Sequence, residues 1–283
     1  MNIFQELLKC QESFSYFVES YVKITSPTKG CTTLSVYPFQ NNLIDLYEKE
    51  KYIVVVKFRQ GGFSTMTVLY GLWKCIFFQD QKFLFISKTK KEAKHLGQIV
   101  NIVLHNFPEW LKVHLSKNTE NVKLFSMTKS EMSFQSPEGA RGQSATHVVI
   151  DEAAFIPNME KHWEVISECL DYNADVKCFV ASTPNGKFST GSWFYNFTKS
   201  AIKKENNFIV FNTSYTEHPM YQDNEFVTSL KNSLSEEAWQ QEILGKFIDH
   251  DKCLVSKLYE LSKKVLSDED KLLILDVIDR IEN

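Results

Sequence analysis

Runs of β-branched and aromatic residues alternate with amphipathic stretches of helical period through most of this chain. Residues 52–58 read as a buried strand and residues 64–78 as the helix that follows it. Residues 83–87 form the next strand, and a helix over about 90–106 is stopped by Pro108. Residues 121–135 alternate around Thr128-Lys129-Ser130 in the manner of a hairpin. Strands at 148–150, 177–181 and 208–211 then alternate with helices at 160–170 and 192–204. Ahead of this core, Ile3, Phe4, Leu7, Leu8, Phe14, Phe17 and Val18 recur at helical spacing, and residues 41–49 give another helix. Behind it, residues 223–234, 235–244 and a charged tail over 257–281 read as helices. This alternation predicts an α/β fold with a mainly parallel sheet covered on both faces.

Composition narrows the class. With 283 residues, 43% of them hydrophobic, the chain supports one large core or two lobes and excludes a disordered protein. A net charge of −3 argues against a uniformly basic nucleic-acid coat but leaves room for a local basic groove. Six scattered cysteines without a C-x-x-C pair fit a reducing compartment and give no zinc-ligand spacing. The N-terminal 23 residues mix acids and lysines with apolar positions, unlike a secretory signal. The most apolar stretch, residues 68–78, contains Lys74 and is too short to span a bilayer. An intracellular protein without a membrane partner is expected.

The chemistry begins where the first core strand ends. Lys57-Phe58-Arg59-Gln60-Gly61-Gly62-Phe63-Ser64-Thr65 breaks a β-branched run into two glycines and then two hydroxyls, the pattern of a phosphate-binding loop. Gly61 and Gly62 let the backbone turn its N–H groups toward a phosphate, and the helix beginning near Ser64 adds its positive end. The lysine usual before the hydroxyl is replaced by Phe63. Two glycines after a strand are also an ordinary tight turn, so this loop needs company.

His147-Val148-Val149-Ile150-Asp151-Glu152-Ala153-Ala154-Phe155 supplies it. A buried strand ending in Asp-Glu puts two carboxylates at the edge where α/β sheets bind ligands. In a nucleotide hydrolase Asp151 would hold Mg2+ through water and Glu152 would polarise the attacking water. The competing reading, a helix cap with an acid in its first turn, weakens beside the glycine loop. Val180-Ala181-Ser182-Thr183-Pro184-Asn185-Gly186 ends a strand in hydroxyls at a turn, which alone is unremarkable. Arg141, between Gly139-Ala140 and Gly142, offers a guanidinium on an exposed loop. Phe39 and Gln40 offer a stacking ring and an amide that suits an adenine edge, or simply face solvent.

In this order the motifs resemble the ATPase domain of the viral terminase large subunit, the motor that packages DNA into preformed capsids. The resemblance runs from about Tyr37 to Ile248, through Pro-Phe-Gln, Arg-Gln-Gly-Gly-Phe-Ser-Thr, Phe-Ile-Ser-Lys-Thr, Gly-Ala-Arg-Gly, Val-Ile-Asp-Glu-Ala-Ala-Phe, Ser-Thr-Pro-Asn-Gly and Gln-Glu-Ile-Leu-Gly-Lys-Phe. It implies a P-loop NTPase of the ASCE type: a core over 37–211, a small helical lid over 212–250 with the N-terminal helices, and a helical tail over 251–283. It implies ATP and Mg2+ as cofactors, with residues 60–65 (Gln60, Gly61, Gly62, Phe63, Ser64 and Thr65) around the nucleotide beside Phe39 and Gln40. Ser64, or failing it Thr65, and Asp151 would bind the metal. Many terminases carry their basic residue at the start of the loop, which matches Lys57 or Arg59; the sequence leaves that choice open. Ser182 and Thr183 match the coupling motif, and Arg141 matches a candidate arginine finger, a group worth ~10³–10⁵ in kcat.

By the same resemblance the partners are double-stranded DNA, a portal protein, a small terminase subunit and further copies of the chain in a ring, in the cytoplasm of an infected host. Lys88, Lys90, Lys91 and Lys94 form a basic cluster at a strand-to-helix turn that suits DNA phosphates or a solvated helix face. Full large subunits continue into a nuclease domain, for which the roughly 35 residues after Phe247 are too few, so no DNA cleavage is expected. Two other functions fit the motifs less well: a superfamily 2-like translocase, and a nucleotide-binding assembly module weakened in catalysis by Phe63.

Overall fold

The computed structural model describes residues 2–26, 30–168, 176–187, 189–249, 271 and 274. Helices α1 (Ile3–Glu12) and α2 (Phe14–Tyr21) open the chain, followed by a small hairpin of β1 (Lys23–Ser26) and β2 (Gly30–Thr33). Helix α3 (Pro38–Lys49) starts on its proline, three residues earlier than the apolar pattern suggests, because a first-turn proline loses no helical hydrogen bond. The core then alternates: β3 (Tyr52–Val56), α4 (Phe63–Phe77), β4 (Lys82–Ile86) and α5 (Lys90–His105). An antiparallel excursion of β5 (Leu115–Asn118), β6 (Val122–Phe125) and β7 (Ser130–Gln135) leads into β8 (His147–Asp151). Helix α6 (Met159–Ser167), β9 (Lys177–Ser182), α7 (Ser192–Ile202) and β10 (Ile209–Asn212) complete the sheet, and α8 (Asn224–Ser233) follows. The tail expected over 257–281 lies outside the described residues, apart from positions 271 and 274.

The eight core strands run in the order β10-β3-β9-β8-β4-β7-β6-β5, parallel from β10 through to β7. Alternate residues serve opposite faces, as the period of two requires. Ile53, Val55, Phe83, Phe85, Met132, Phe134 and Phe179 meet α2, α3, α4 and α5 in one layer. Val54, Val56, Leu84, Ile86, Val148, Ile150 and Val180 meet α6 and α7 in the other. Both sides of each central strand are therefore apolar, which is why these strands read as unbroken hydrophobic runs. Helix α4 is buried along most of its length, with Leu69, Tyr70 and Leu72 fully enclosed, because α2 and α3 cover the side turned away from the sheet.

Two of the three buried lysines among the described residues lie away from the sheet edge, and oxygen acceptors satisfy each of them locally. Lys177, at the first position of β9, donates to the carbonyls of Glu48 at 2.9 Å and Glu50 at 3.2 Å, and to that of Tyr47, so it caps the C-terminus of α3. Lys123 closes the β5–β6 turn through Asn118 Oδ1 at 2.7 Å and the Thr119 carbonyl at 2.5 Å.

Candidate active site

Three strand ends converge at one level. The register sets Val56 of β3 beside Ser182 of β9, and Ala181 of β9 beside Asp151 of β8. Lys57 continues from β3, its N–H donating to the Ser182 carbonyl at 3.0 Å. This C-terminal edge is where a parallel sheet presents loops to a ligand.

The Lys57 side chain turns inward and is 5% exposed. Its Nζ donates to Asp151 Oδ1 at 2.6 Å and to Ser64 Oγ at 3.1 Å, and lies 2.8 Å from Glu152 Oε1. Burial works against the ammonium charge, but the Asp151 and Glu152 carboxylates outweigh it and hold the Lys57 pKa above the ordinary lysine value. Ser64 Oγ and Asp151 Oδ1 thus face one point that already carries positive charge. A hydroxyl and a carboxylate there suit a small hard cation that keeps its other ligands as water and phosphate, provided the Lys57 ammonium moves off them.

Glu152 adopts the left-handed conformation, φ 56° and ψ 40°, which costs a non-glycine residue about 1–3 kcal/mol. That turn takes the chain off β8 into the single 3-10 turn Ala153–Phe155 and aims the carboxylate along the cleft. Its side chain keeps 38% of its surface open, yet the walls crowd the carboxyl. Burial pushes the Glu152 pKa up; Lys57 draws it down and Asp151 pushes it further up, with the net shift upward. A carboxylate so placed is a stronger base than a free glutamate.

The loop itself is fixed from beneath by aromatic packing. Phe63 is the first residue of α4 and is 3% exposed, its ring 5.6 Å from that of Phe39 and 5.3 Å from that of Phe58. A Cβ on Gly61 would lie 2.4 Å from the Phe63 ring, and Gly62 takes φ +75°, so both glycines are required by this geometry. Gln60 also has positive φ, at 61°. Gln40 is buried: its amide donates to the Gly61 carbonyl at 2.9 Å and accepts from the Tyr37 N–H at 3.0 Å. In this structure Phe39 and Gln40 therefore support the loop from within the fold, and neither the ring nor the amide is free at the surface.

Arg59 has different company. Its guanidinium pairs with the Glu242 carboxylate, its N–H donates to the Glu242 carbonyl at 2.7 Å, and its own carbonyl accepts from Tyr221 Oη at 2.9 Å. Lys57 points into the carboxylate cluster and Arg59 points to the segment after β10. Ser182 is fully buried, and its Oγ accepts from the Ala154 N–H at 3.1 Å; Asn185 Nδ2 donates to the Ala154 carbonyl at 3.1 Å. The ends of β8 and β9 are tied together by these two bonds.

These groups line a cleft of about 470 Å³, formed by residues 57–65 with Lys88, Glu92, Glu152, Phe155, Thr183 and Glu242. A neighbouring groove of about 620 Å³ shares Ser64, Thr65, Glu92 and Glu152, includes Asp151, and runs along α5 past Lys91 and His95. Of the basic cluster, Lys88 is on the cleft wall, Lys91 is in the groove, Lys90 is exposed and Lys94 pairs with Glu120. Arg141 follows the turn Pro137–Ala140, is exposed, and does not line the cleft. Glu92, Phe155 and Glu242 were not singled out as site residues by sequence reasoning. Glu92 is half of a Thr89–Glu92 capping box, so its pattern points only to a helix start.

Known structures share this architecture. The large terminase of bacteriophage HK97 aligns with 88% of this chain and 58% of its own, at 12% identity and a TM-score of 0.66. A large terminase of a thermophilic bacteriophage, in complex with ADP, aligns with 75% of this chain and 54% of its own, at 13% identity and a TM-score of 0.60. The large terminase ATPase domain of Thermus phage P74-26 aligns with 72% of this chain and 92% of its own, at 20% identity and a TM-score of 0.55. The chain thus spans little more than half the length of the first two proteins and the greater part of an isolated ATPase domain. These likenesses show that the chain shares the fold of large terminase ATPase domains, a mainly parallel sheet covered by helices. Family membership rests on a sequence match to "Terminase large subunit, T4likevirus-type, N-terminal" over residues 59–261, most of the chain. The chain belongs to the terminase large subunit family, to its N-terminal region.

Proposed function

We propose that this chain is the ATP-hydrolysing part of a DNA-packaging motor, driving double-stranded viral DNA into a preformed capsid. The observation that carries this reading is the meeting of Lys57, Ser64, Asp151 and Glu152 in one cleft at the sheet edge, in a chain of this family. The N–H groups of residues 60–65 and the α4 N-terminus would receive the β- and γ-phosphates. Lys57 is the basic residue we assign to those phosphates, because its ammonium lies among Ser64, Asp151 and Glu152 while the Arg59 guanidinium is held on Glu242. Ser64 and Asp151 would hold Mg2+, which when bound neutralises phosphate charge and polarises the γ-phosphoryl group. Glu152 would orient the attacking water and take its proton, a task its raised pKa suits.

Buried Ser182 and cleft-lining Thr183 would report the state of the phosphates to the rest of the chain, through the bonds that Ser182 and Asn185 make to Ala154. Arg141, exposed and away from the cleft wall, would serve a neighbouring copy in a ring better than its own site. Gln40 and Phe39 would act on nucleotide indirectly, by holding the loop in shape. Lys88 and Lys91 would face phosphates of nucleotide or DNA, and Lys90 DNA alone. The portal, the small terminase subunit and the host cytoplasm belong to this proposal as the setting of such a motor. No helix among the described residues is long and apolar enough to cross a membrane.

Phosphate release from ATP, measured with and without DNA and over a range of protein concentration, tests the reading. Wild-type protein should hydrolyse ATP in a Mg2+-dependent manner, and Glu152→Gln should bind nucleotide without turnover. Wild type that binds no nucleotide overturns the proposal.

A further inference from the structure

One stretch of the sequence, Gln-Glu-Ile-Leu-Gly-Lys-Phe, supplies none of the groups assigned to phosphate, metal or water above. Its first three residues complete a π-helical turn, Trp239–Ile243, a wide winding that is uncommon and recurs at functional sites. The turn is anchored: Trp239 and Ile243 are 5% and 2% exposed in the same core as Phe58 and Phe63. Between those anchors, two consecutive side chains reach two different loops of the active site. Glu242 pairs with the Arg59 guanidinium, accepts from the Arg59 N–H through its carbonyl at 2.7 Å, and lines the cleft. Gln241 Oε1 accepts from the N–H of Gly186, in the turn after Ser182-Thr183. Just beyond, the Ile248 carbonyl accepts from the Lys187 N–H at 3.0 Å.

These bonds close a circuit. Asn185 and Ser182 join β9 to Ala154 after the Asp151-Glu152 strand, Gly186 joins β9 to Gln241, and Glu242 joins Arg59 in the phosphate loop. A turn bonded to both loops cannot follow one without pulling on the other. The ion pair also holds the Arg59 guanidinium on Glu242, while the Lys57 ammonium occupies the Asp151-Glu152 carboxylates.

We propose that Gln241 and Glu242 are positioning residues for the hydrolytic site, bracing the phosphate loop through Arg59 and the turn after Ser182-Thr183 through Gly186, so that the two loops move as one. This rests on the reading of the cleft as an ATP site. Neither residue is asked to touch the reacting atoms.

The test is equilibrium binding of a fluorescent, slowly hydrolysed ATP analogue, with thermal melting and steady-state hydrolysis on the same proteins. For Glu242→Gln, the analogue Kd should rise up to about fivefold, as for a partly exposed ion pair, with melting essentially unchanged. In an Arg59→Ala background the same substitution should add nothing. The exchanged pair, Arg59→Glu with Glu242→Arg, should recover most of the affinity. Gln241→Ala should instead leave the Kd near wild type and lower kcat, since its bond reaches the turn after β9 and not the phosphate loop. An undiminished effect of Glu242→Gln in the Arg59→Ala background, or an unchanged Kd beside normal wild-type binding, overturns the brace while leaving the ATP site standing. Wild type that binds no analogue overturns both. If Glu242→Gln melts much earlier, the exchanged pair decides: failure to recover affinity counts against the proposal, and recovery supports it.

Discussion

Lys57 Nζ lies 2.6 Å from Asp151 Oδ1, so the residue just after one core strand is charge-paired with the residue that ends another, across the intervening β9. This pair is the keystone of the cleft, because the same ammonium also holds Glu152 and Ser64. Removing it should have consequences that removing Arg59 does not. Lys57→Ala leaves two carboxylates facing each other, and breaking a buried pair by deleting one partner costs about 3 kcal/mol or more. The protein should melt about 6–12 °C lower at neutral pH and lose nucleotide binding. The sign with pH follows from the raised Lys57 pKa: its contribution is present below the ordinary lysine value of 10.5 and is lost as pH rises through the higher folded value. On the acid side the deficit of Lys57→Ala should shrink as Glu152, whose pKa is raised, takes up its proton. Melting curves from acid to alkaline pH check this, and Arg59→Ala should shift the analogue Kd only modestly. Loss of binding in Arg59→Ala with binding retained in Lys57→Ala reverses the assignment.

Glu152 gives a prediction of opposite sign. Its folded pKa is raised above the ordinary 4.5, so the folded state holds the proton more tightly than the unfolded chain does. Ionised Glu152 is therefore a small net cost to folding, present above the raised pKa and relieved as pH falls through it. Glu152→Gln should melt at or slightly above wild type at neutral pH, and the two curves should merge in acid. Activity runs the other way. The variant should show no turnover at any pH, and wild-type kcat should fall on acidification at a higher pH than an unperturbed glutamate gives. A wild-type acid limb centred near 4.5 contradicts the assignment of Glu152 as base.

The alternation of strands and helices was legible because both faces of the parallel sheet are covered, so β3, β4, β8 and β9 stand out as apolar runs. The carboxylate pair and the hydroxyls of Ser182-Thr183 were legible for a related reason: polar residues at the end of such a run have only the sheet edge to occupy. The choice between Lys57 and Arg59 was not legible. They are two residues apart, and only Glu242, 183 positions away from Arg59, decides where its guanidinium goes. The packing of Phe39 and Gln40 beneath the loop was not legible for a similar reason, since an aromatic and an amide look alike whether they meet a base or brace a loop. The strand β5 went unread because its four residues are mostly exposed and polar. The π-helical turn has no pattern of its own in the sequence.

Ser182 offers a local test of the link between the two strand ends. Its hydroxyl is fully buried and accepts from the Ala154 N–H at 3.1 Å. Ser182→Ala removes the acceptor and leaves that N–H unsatisfied, which costs about 1–3 kcal/mol. Nucleotide affinity should change little, because the phosphate loop keeps its own supports in Gln40 and Phe63. Hydrolysis should slow, since Ala154 follows Glu152 by two residues and the bond holds that turn in place. An unchanged kcat with a lowered melting point would reduce Ser182 to a structural role.

The sharpest test concerns Phe63, which stands where a phosphate loop usually carries lysine. If charge were simply missing from that position, Phe63→Lys would restore it and would rescue Lys57→Ala. The structure argues the reverse. The Phe63 ring is 3% exposed among Phe39 and Phe58, and its removal empties the aromatic floor on which Gly61 rests. An ammonium on that floor would be desolvated without a partner, a cost of several kcal/mol, so Phe63→Lys should destabilise the protein and lower nucleotide affinity. Phe63→Leu, which keeps an apolar side chain in smaller volume, should be milder in both respects. The combined Lys57→Ala, Phe63→Lys protein should bind no better than Lys57→Ala alone. Recovery of binding in that double variant would mean that the loop can take its charge from either end, and that the burial of Phe63 is incidental to how this chain holds phosphate.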